Sequence, residues 1–282
     1  PPGPDPGATD TFVRTFSGSF AELLWNEERA AEWFVSHWWG EPVLDFVTCL
    51  GGHDAAYKLD GQGLYWICAY ANSQTRIGEE LGNEGPLASP FFKALLLASG
   101  AVLVFDESSV VTTRMWCGFE NVVIASQGKR LAMATAAEGV GHVLTTTPAP
   151  ADHGQKNRQG KDVPPQEAHS KRQAKFPAPR LEAATVTQLE SAEASNEHDK
   201  QTIIEVVQNE LGGFLRANSR LRVLGAAALL GVDKVTPEAV AALNGALSPF
   251  ELTCSGGSLE QAVAQGLGLQ SCSGLTLHGQ QP

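Results

Sequence analysis

The chain has 282 residues, of which 43% are apolar, enough to bury the core of one large domain or two smaller ones. Its formal net charge is −11. This charge excludes nonspecific binding to nucleic acid or to an anionic membrane surface, because both need a positive field.

The first thirty residues are predicted to lie outside the main domain. Residues 1–10 are rich in Pro and Gly, which is typical of a disordered segment. Residues 11–30 predict one short helix built around Phe20, Leu23 and Leu24.

Predicted strands and helices alternate between residues 31 and 147. Continuous apolar runs predict four strands: Trp33–Ser36, LYWICAY at 64–70, AVLVF at 101–105 and KRLAMAT at 129–135. The predicted helices between them include VLDFVTCL, a segment with Ser89 as N-cap and Pro90 as first helical residue, and one that starts near Trp116. This alternation predicts an α/β domain with a parallel sheet that is covered by helices on both faces.

The second half of the chain has a different composition. Six prolines and a local excess of basic residues predict a linker over 148–180. A helical segment is predicted over 181–235, capped by Ser195 or Asn196 and apolar at Ile203 and Val207. Residues 236–282 contain two similar stretches, AVAALNGALSPFEL and AVAQGLGLQSCSGLTL. A helix followed by a Leu-x-Leu strand predicts a partial leucine-rich-repeat-like region.

The cysteines predict reduced thiols rather than a metal site. None of the five lies in a Cys-x-x-Cys pair or a Cys/His cluster with zinc-site spacing. Three of them lie in apolar runs, which is typical of buried thiols in a reducing compartment. No apolar run approaches the roughly 18 residues of a membrane span, so we expect a cytoplasmic protein.

Polar side chains follow three of the predicted strands, in the segments Ser36–Gly40, Asn72–Gln74 and Asp106–Ser109. A parallel sheet binds its ligands outside the carboxyl ends of its strands, so these segments are candidates for a binding edge. The alternative is that they are turn residues that need no ligand.

The order of several motifs resembles the TIR (Toll and interleukin receptor) domain. The resemblance rests on WFVSHWWGE at the first strand, YWICAYANSQ at the second, and a strand and Ser-rich loop before Trp116-Cys117-x-x-Glu120. The similarity covers residues 31–136. The same motifs resemble a little-characterised protist family with TIR-like domains, and YWICAYANSQ also resembles the heterokaryon-incompatibility relatives of TIR.

This resemblance implies a flavodoxin-like parallel sheet and, in the enzymes of the family, hydrolysis of NAD at the nicotinamide–ribose bond. It implies NAD as substrate, no cofactor, and Glu120 as catalytic carboxylate. Ligand contacts are expected from the loops that follow the first two strands: His37, Trp38, Trp39, Asn72, Gln74 and Arg76. Of these, Arg76 is the expected partner of the pyrophosphate, or else of Glu79 or Glu80 in a helical turn.

Two functions remain open at this point. Glu120 is either catalytic or a helix first-turn carboxylate that favours the helix dipole. Trp116 and Cys117 are expected in the core. If Glu120 has no chemical role, the chain is expected to be a signalling adaptor that binds other TIR-like domains or itself, with a protein partner for its C-terminal repeats.

Overall fold

The computed structural model describes residues 18–25, 27, 29–73, 75–76, 85–127, 129–145, 147–177, 179–180, 183, 188–218 and 221. Gln74, the predicted disordered N-terminus and the predicted repeat units at 236–282 lie outside the described residues.

The described residues form an α/β fold around one five-stranded sheet with the order β2-β1-β3-β4-β5. The strands are β1 (Trp33–Ser36), β2 (Tyr65–Ile67), β3 (Gly100–Phe105), β4 (Arg130–Ala137) and β5 (Val140–Thr145). Neighbours from β2 to β4 pair in parallel. The predicted α/β class with a mainly parallel sheet is therefore confirmed.

Strand β5 was not predicted and runs antiparallel to β4. The two strands are joined by a two-residue turn, Glu138–Gly139, in which both residues have positive φ, 52° and 73°. Such a turn matches the twist of a hairpin, but Glu-Gly is a weaker signal for it than Asn-Gly.

The helices cover both faces of the sheet. They are α1 (Phe20–Leu24), α2 (Val43–Tyr57), α3 (Cys68–Ala71), α4 (Pro90–Leu97), α5 (Met115–Gln127), α6 (Pro165–Gln173) and α7 (Glu197–Asn209). The hydroxyl of Ser89 accepts a hydrogen bond from the Phe92 amide, and Asn196 caps α7, both as predicted. Within the described ranges, no helix combines the length and apolar character needed to cross a membrane.

Successive residues of β1 belong to the two different core layers. Trp33 and Val35 pack in the layer that contains Cys49 of α2, whereas Phe34 packs in the layer that contains Leu95 of α4 and Phe119 of α5. This alternation follows from the two-residue period of a strand. It explains why the central strands read as continuous apolar runs.

Strand β2 is shorter than the sequence predicts. It ends at Ile67, and Cys68–Ala71 forms the helical turn α3. Because β2 is an edge strand, its only strand partner in the described sheet is β1, and its residues are half-buried rather than buried.

The segment predicted as a linker is packed against the sheet. The carboxylate of Asp152 is buried and accepts hydrogen bonds from the Arg172 guanidinium, at 3.0 Å from Nε and 2.7 Å from Nη2. Arg172 also donates to the carbonyl of Val143 in β5. The ring of Phe176 lies in the core. Proline content therefore did not distinguish this packed segment from a free one.

The residues that precede α7 pack on α5. A Cβ atom at Gly118 would approach Leu189 Cδ1 to 2.5 Å, so glycine permits this close contact. The amide of Met115 donates to the Glu193 carbonyl at 2.8 Å. Leu189, and Ile203 of α7, are fully buried in the same layer as α5. The beginning of the predicted helical segment is thus part of this core.

Candidate active site

A cleft of about 310 Å³ opens beyond the carboxyl ends of β1 and β2. The chain passes from β1 to β2 on one side and then to β3 on the other, so β1 lies where the strand order reverses. Crevices of α/β sheets bind ligands at such a reversal. The lining residues come from 35–39, 114–120 and 193–199, together with Cys68 and Phe91.

Glu120 lies on the wall of this cleft, on helix α5. Its side chain is buried, and Ser36 at the end of β1 donates a hydrogen bond to Oε2 at 2.5 Å. The helix begins at Met115, so Glu120 is in its second turn. The alternative that Glu120 is a first-turn carboxylate that favours the helix dipole is therefore wrong, because the dipole acts mainly within the first turn.

Burial raises the pKa of Glu120 to about 8, against an opposing effect of the Ser36 hydrogen bond, which favours the ionised form. The carboxyl group of Glu120 is therefore protonated at neutral pH. A carboxyl group that ionises near pH 8 beside a cleft is typical of sites that perform acid–base or charge-stabilising chemistry.

The aromatic segment after β1 lines the cleft, as the sequence predicts. His37, Trp38 and Trp39 all contribute to the lining. The Nε1–H of Trp39 donates to Cys68 Sγ at 2.8 Å, which fixes a ring that is still half-exposed. His37 Nδ1 lies 3.2 Å from the Trp38 carbonyl, and burial lowers the pKa of His37 to about 4, so its imidazole is neutral.

The described residues of the second predicted contact segment do not line the cleft. Asn72 and Ser73 are buried and absent from the cleft lining, and Ser73 forms a β-bridge with Ser19 before helix α1. Arg76 is exposed and does not line the cleft either. The physical reason is the α3 turn, which separates these residues from the end of β2.

The polar residues that follow β3 have a local role. The two carboxylate oxygens of Asp106 accept hydrogen bonds from the amides of Ser108 and Val111. These bonds satisfy the loop backbone, and none of the residues Asp106–Ser109 lines the cleft. For this segment the turn interpretation therefore agrees with the structure.

Two thiols face the cleft, and neither is activated. Cys68 Sγ lies 3.7 Å from His37 Nε2. Burial nonetheless raises its pKa to about 12, and burial raises the pKa of Cys117 as well. A nucleophilic thiol needs a lowered pKa, so these cysteines are better described as lining groups. In the described part of the chain Cys49, Cys68 and Cys117 are free thiols.

The far wall of the cleft comes from Arg114 and residues 193–199, which sequence reasoning missed, and from Trp116. Trp116 was expected in the core, but it is only partly buried at the edge of the core and lines the cleft. Arg114 donates a hydrogen bond from Nη2 to Ser195 Oγ at 2.8 Å, and Trp116 donates from Nε1 to Asp199 Oδ2 at 3.2 Å. These contacts join positions about eighty residues apart, and no local pattern predicts them. The only available signal was that Arg114 lies next to the Trp116-Cys117-x-x-Glu120 motif.

Comparison with known proteins does not assign a function to this chain. The chain matches no protein-family model, and neither the curated proteins nor the solved structures give a significant match. Within the described residues, no group of three or more His, Cys, Asp and Glu side chains is arranged to hold a metal ion.

Proposed function

We propose that the chain is a TIR-like signalling domain that hydrolyses NAD at the nicotinamide–ribose bond, with Glu120 as the catalytic carboxylate. The observation that carries the proposal is the position of Glu120, buried on the wall of an aromatic cleft at the carboxyl end of β1.

The sheet topology supports a flavodoxin-like, TIR-like assignment. The order β2-β1-β3-β4 of parallel strands is the one found in flavodoxin-like sheets. The antiparallel β5 departs from a fully parallel sheet of that type. Since unrelated activities share this topology, the proposal depends on the cleft rather than on the fold.

The reaction uses one carboxylate. The bond from ribose C1′ to the pyridinium nitrogen breaks, and its electron pair leaves with nicotinamide, which departs neutral and needs no general acid. The oxocarbenium-like charge that develops on the ribose is stabilised by ionised Glu120. Water then bonds to C1′ and gives a proton to Glu120, which releases it to solvent. The products are ADP-ribose, nicotinamide and one proton.

The cleft suits the reacting half of the substrate. Its volume of about 310 Å³ is at the lower end of the range for small-molecule sites. Trp38, Trp39 and Trp116 offer flat apolar surfaces for a nicotinamide ring. The positive charge of that ring would lower the pKa of Glu120 on binding and so favour the ionised form that the reaction needs.

The test is release of free nicotinamide from NAD, with Glu120→Gln as the site variant. We expect a loss of at least about a hundredfold, typical of the removal of a catalytic acid–base group. Glu41→Gln is the matched control, because Glu41 is also buried with its pKa raised to about 7, mainly by burial, but does not line the cleft. TIR enzymes often act only when assembled, so the assay is run on concentrated protein with a crowding agent. Activity that is indifferent to Glu120→Gln would eliminate the site assignment.

The pH profile gives a second test. Because Glu120 must be ionised, kcat/KM should rise with pH and level off above about 8, the pKa of Glu120 in the free enzyme. The profile of kcat should level off at lower pH, since bound substrate is cationic. A kcat/KM profile that is flat from pH 6 to about 9 would exclude this role for Glu120.

An adaptor function is the second candidate, favoured by the surface of α2. Val43, Leu44 and Val47 are 63%, 81% and 57% exposed at the start of this helix. Grouped apolar side chains on a surface suit self-association or contact with another TIR-like domain. Under this hypothesis Leu44→Glu abolishes assembly in sedimentation experiments, and Glu120→Gln has no effect on it.

A further inference from the structure

We propose that Arg114 binds the phosphate next to the reacting ribose, so that the cleft selects nicotinamide nucleotides over unphosphorylated nicotinamide riboside. This inference rests on the proposed function and assigns a specificity residue to the same cleft. It replaces Arg76, which the sequence suggested for this task and which does not line the cleft.

Arg114 is the one Lys or Arg residue among the described residues that line the cleft. Its side chain is 23% exposed, so it is partly shielded from water while remaining accessible to a ligand. It lies just before helix α5, and Glu120 is on the second turn of that helix. In a nicotinamide nucleotide the anomeric carbon and the 5′-phosphate are at opposite ends of one ribose. Both residues line one cleft, so the proposed nucleotide places its anomeric carbon beside Glu120 and its 5′-phosphate beside Arg114.

The contacts that Arg114 makes within the protein hold it in place without using most of its donors. The guanidinium has five N–H donors in a planar fork. Its hydrogen bond to a described residue is the one from Nη2 to Ser195 Oγ at 2.8 Å. Glu193 is 3.8 Å away and its side chain is 78% exposed, so this ion pair is weak and solvent-screened. A phosphate offers stronger, bidentate hydrogen bonds to the same fork.

Other charges at this wall limit which anion fits. Besides Glu120, the carboxylates of Glu193 and Asp199 line the cleft, so the local field does not attract anions in general. Asp199 is engaged by Trp116 Nε1 at 3.2 Å. A ligand that carries both a cationic nicotinamide ring and a phosphate matches this mixed lining better than a simple anion.

The experiment compares NAD with nicotinamide riboside, using Arg114→Gln as the test variant and Arg76→Gln as the matched control. Both variants remove one positive charge, but only one of them changes the cleft lining. We expect Arg114→Gln to lower kcat/KM for NAD by about tenfold to a hundredfold, the value of a charge-assisted hydrogen bond, and to lower it for the riboside much less. Arg76→Gln should change it less than about twofold for both substrates, as expected for an exposed charge outside the site.

Inorganic pyrophosphate serves as a probe that contains only the phosphate groups. It should compete with NAD on the wild-type protein, and its inhibition constant should rise about tenfold in Arg114→Gln. Arg114→Lys keeps the charge but loses the planar fork, so it should give an intermediate effect. If Arg114→Gln does not fold, Arg114→Lys and inhibition of the wild type by pyrophosphate decide the matter.

The outcomes separate this inference from the function on which it rests. If Arg114→Gln lowers kcat/KM equally for NAD and for nicotinamide riboside, or if pyrophosphate does not compete with NAD, the role of Arg114 is wrong while NAD hydrolysis stands. A riboside that is not cleaved supports the role only together with competition by pyrophosphate. If concentrated protein cleaves neither substrate, the proposed hydrolase function itself is wrong.

Discussion

Replacement of Glu120 by Gln should stabilise the protein, and the gain should grow with pH. The carboxyl group is buried and has a pKa of about 8, raised from 4.5 mainly by that burial. The folded state therefore binds the proton more tightly than the unfolded state does. The contribution of Glu120 to stability is greatest below pH 4.5, where both states are protonated, and it is lost as pH rises towards 8.

The size of the effect follows from the two pKa values. Each pKa unit corresponds to about 1.36 kcal/mol, so the shift from 4.5 to about 8 costs roughly 5 kcal/mol of unfolding free energy once Glu120 is ionised. Between pH 4.5 and 8 only part of this free energy is lost, because Glu120 is still largely protonated in the folded state. We therefore expect Glu120→Gln to raise the free energy of unfolding by about 1 kcal/mol at pH 5 and about 3 kcal/mol at pH 7. Glutamine keeps the side-chain volume and an oxygen that accepts the Ser36 hydrogen bond.

Urea denaturation followed by tryptophan fluorescence, at intervals from pH 5 to about 9, measures this difference. Glu41→Gln gives an internal comparison, since its gain should level off near pH 7, about one unit earlier. A free-energy difference between wild type and Glu120→Gln that is constant across the range would refute the reasoning. It would mean that the carboxyl group is solvated in the folded protein.

Two adjacent glycines in α2 should respond to alanine with opposite signs. A Cβ atom at Gly52 would approach the backbone of Gly141 to 2.7–2.9 Å, so Gly52→Ala should destabilise by about 1–3 kcal/mol. A Cβ atom at Gly51 would meet open space, so Gly51→Ala should stabilise the protein by up to about 1 kcal/mol, because alanine has a higher helix propensity than glycine. Equal shifts of the melting temperature in the two variants would contradict this packing. Removal of Arg172 leaves the buried Asp152 carboxylate without its main partner, so Arg172→Met should cost about 3–5 kcal/mol at pH 7 and less at acid pH, where Asp152 is protonated. Replacement of the exposed neighbour Lys171 by Met should lower the free energy of unfolding by less than about 1 kcal/mol in the same urea titration.

Segments with a strong local signal were predicted well. Strand β1 was predicted with its observed limits, and β3 with one residue fewer, because continuous apolar runs of this length are typical of strands buried on both faces. Helix α4 begins at Pro90 behind the Ser89 cap, since a hydroxyl N-cap and a proline in the first turn are local features.

The candidate site was predicted only in part. Glu120 and the aromatic residues 37–39 line the cleft, and their motif and strand-end positions identified them. Asn72 and Arg76 do not line it, because a three-residue edge strand gives way to a helical turn. Whether LYWICAY stays extended depends on its strand partners, and the sequence of one segment does not contain that information.

By itself, the sequence determined the alternation of strands and helices and their main caps. These features arise from periodicity and capping, which act over a few residues. Tertiary structure alone decided that residues 193–199 close the cleft, that Arg114 faces it, and that the proline-rich segment is anchored by Arg172. Such contacts join residues far apart in the chain. They depend on how whole elements pack. The apolar side chains of one segment could be buried against several other segments, and only the assembled fold selects one of these partners.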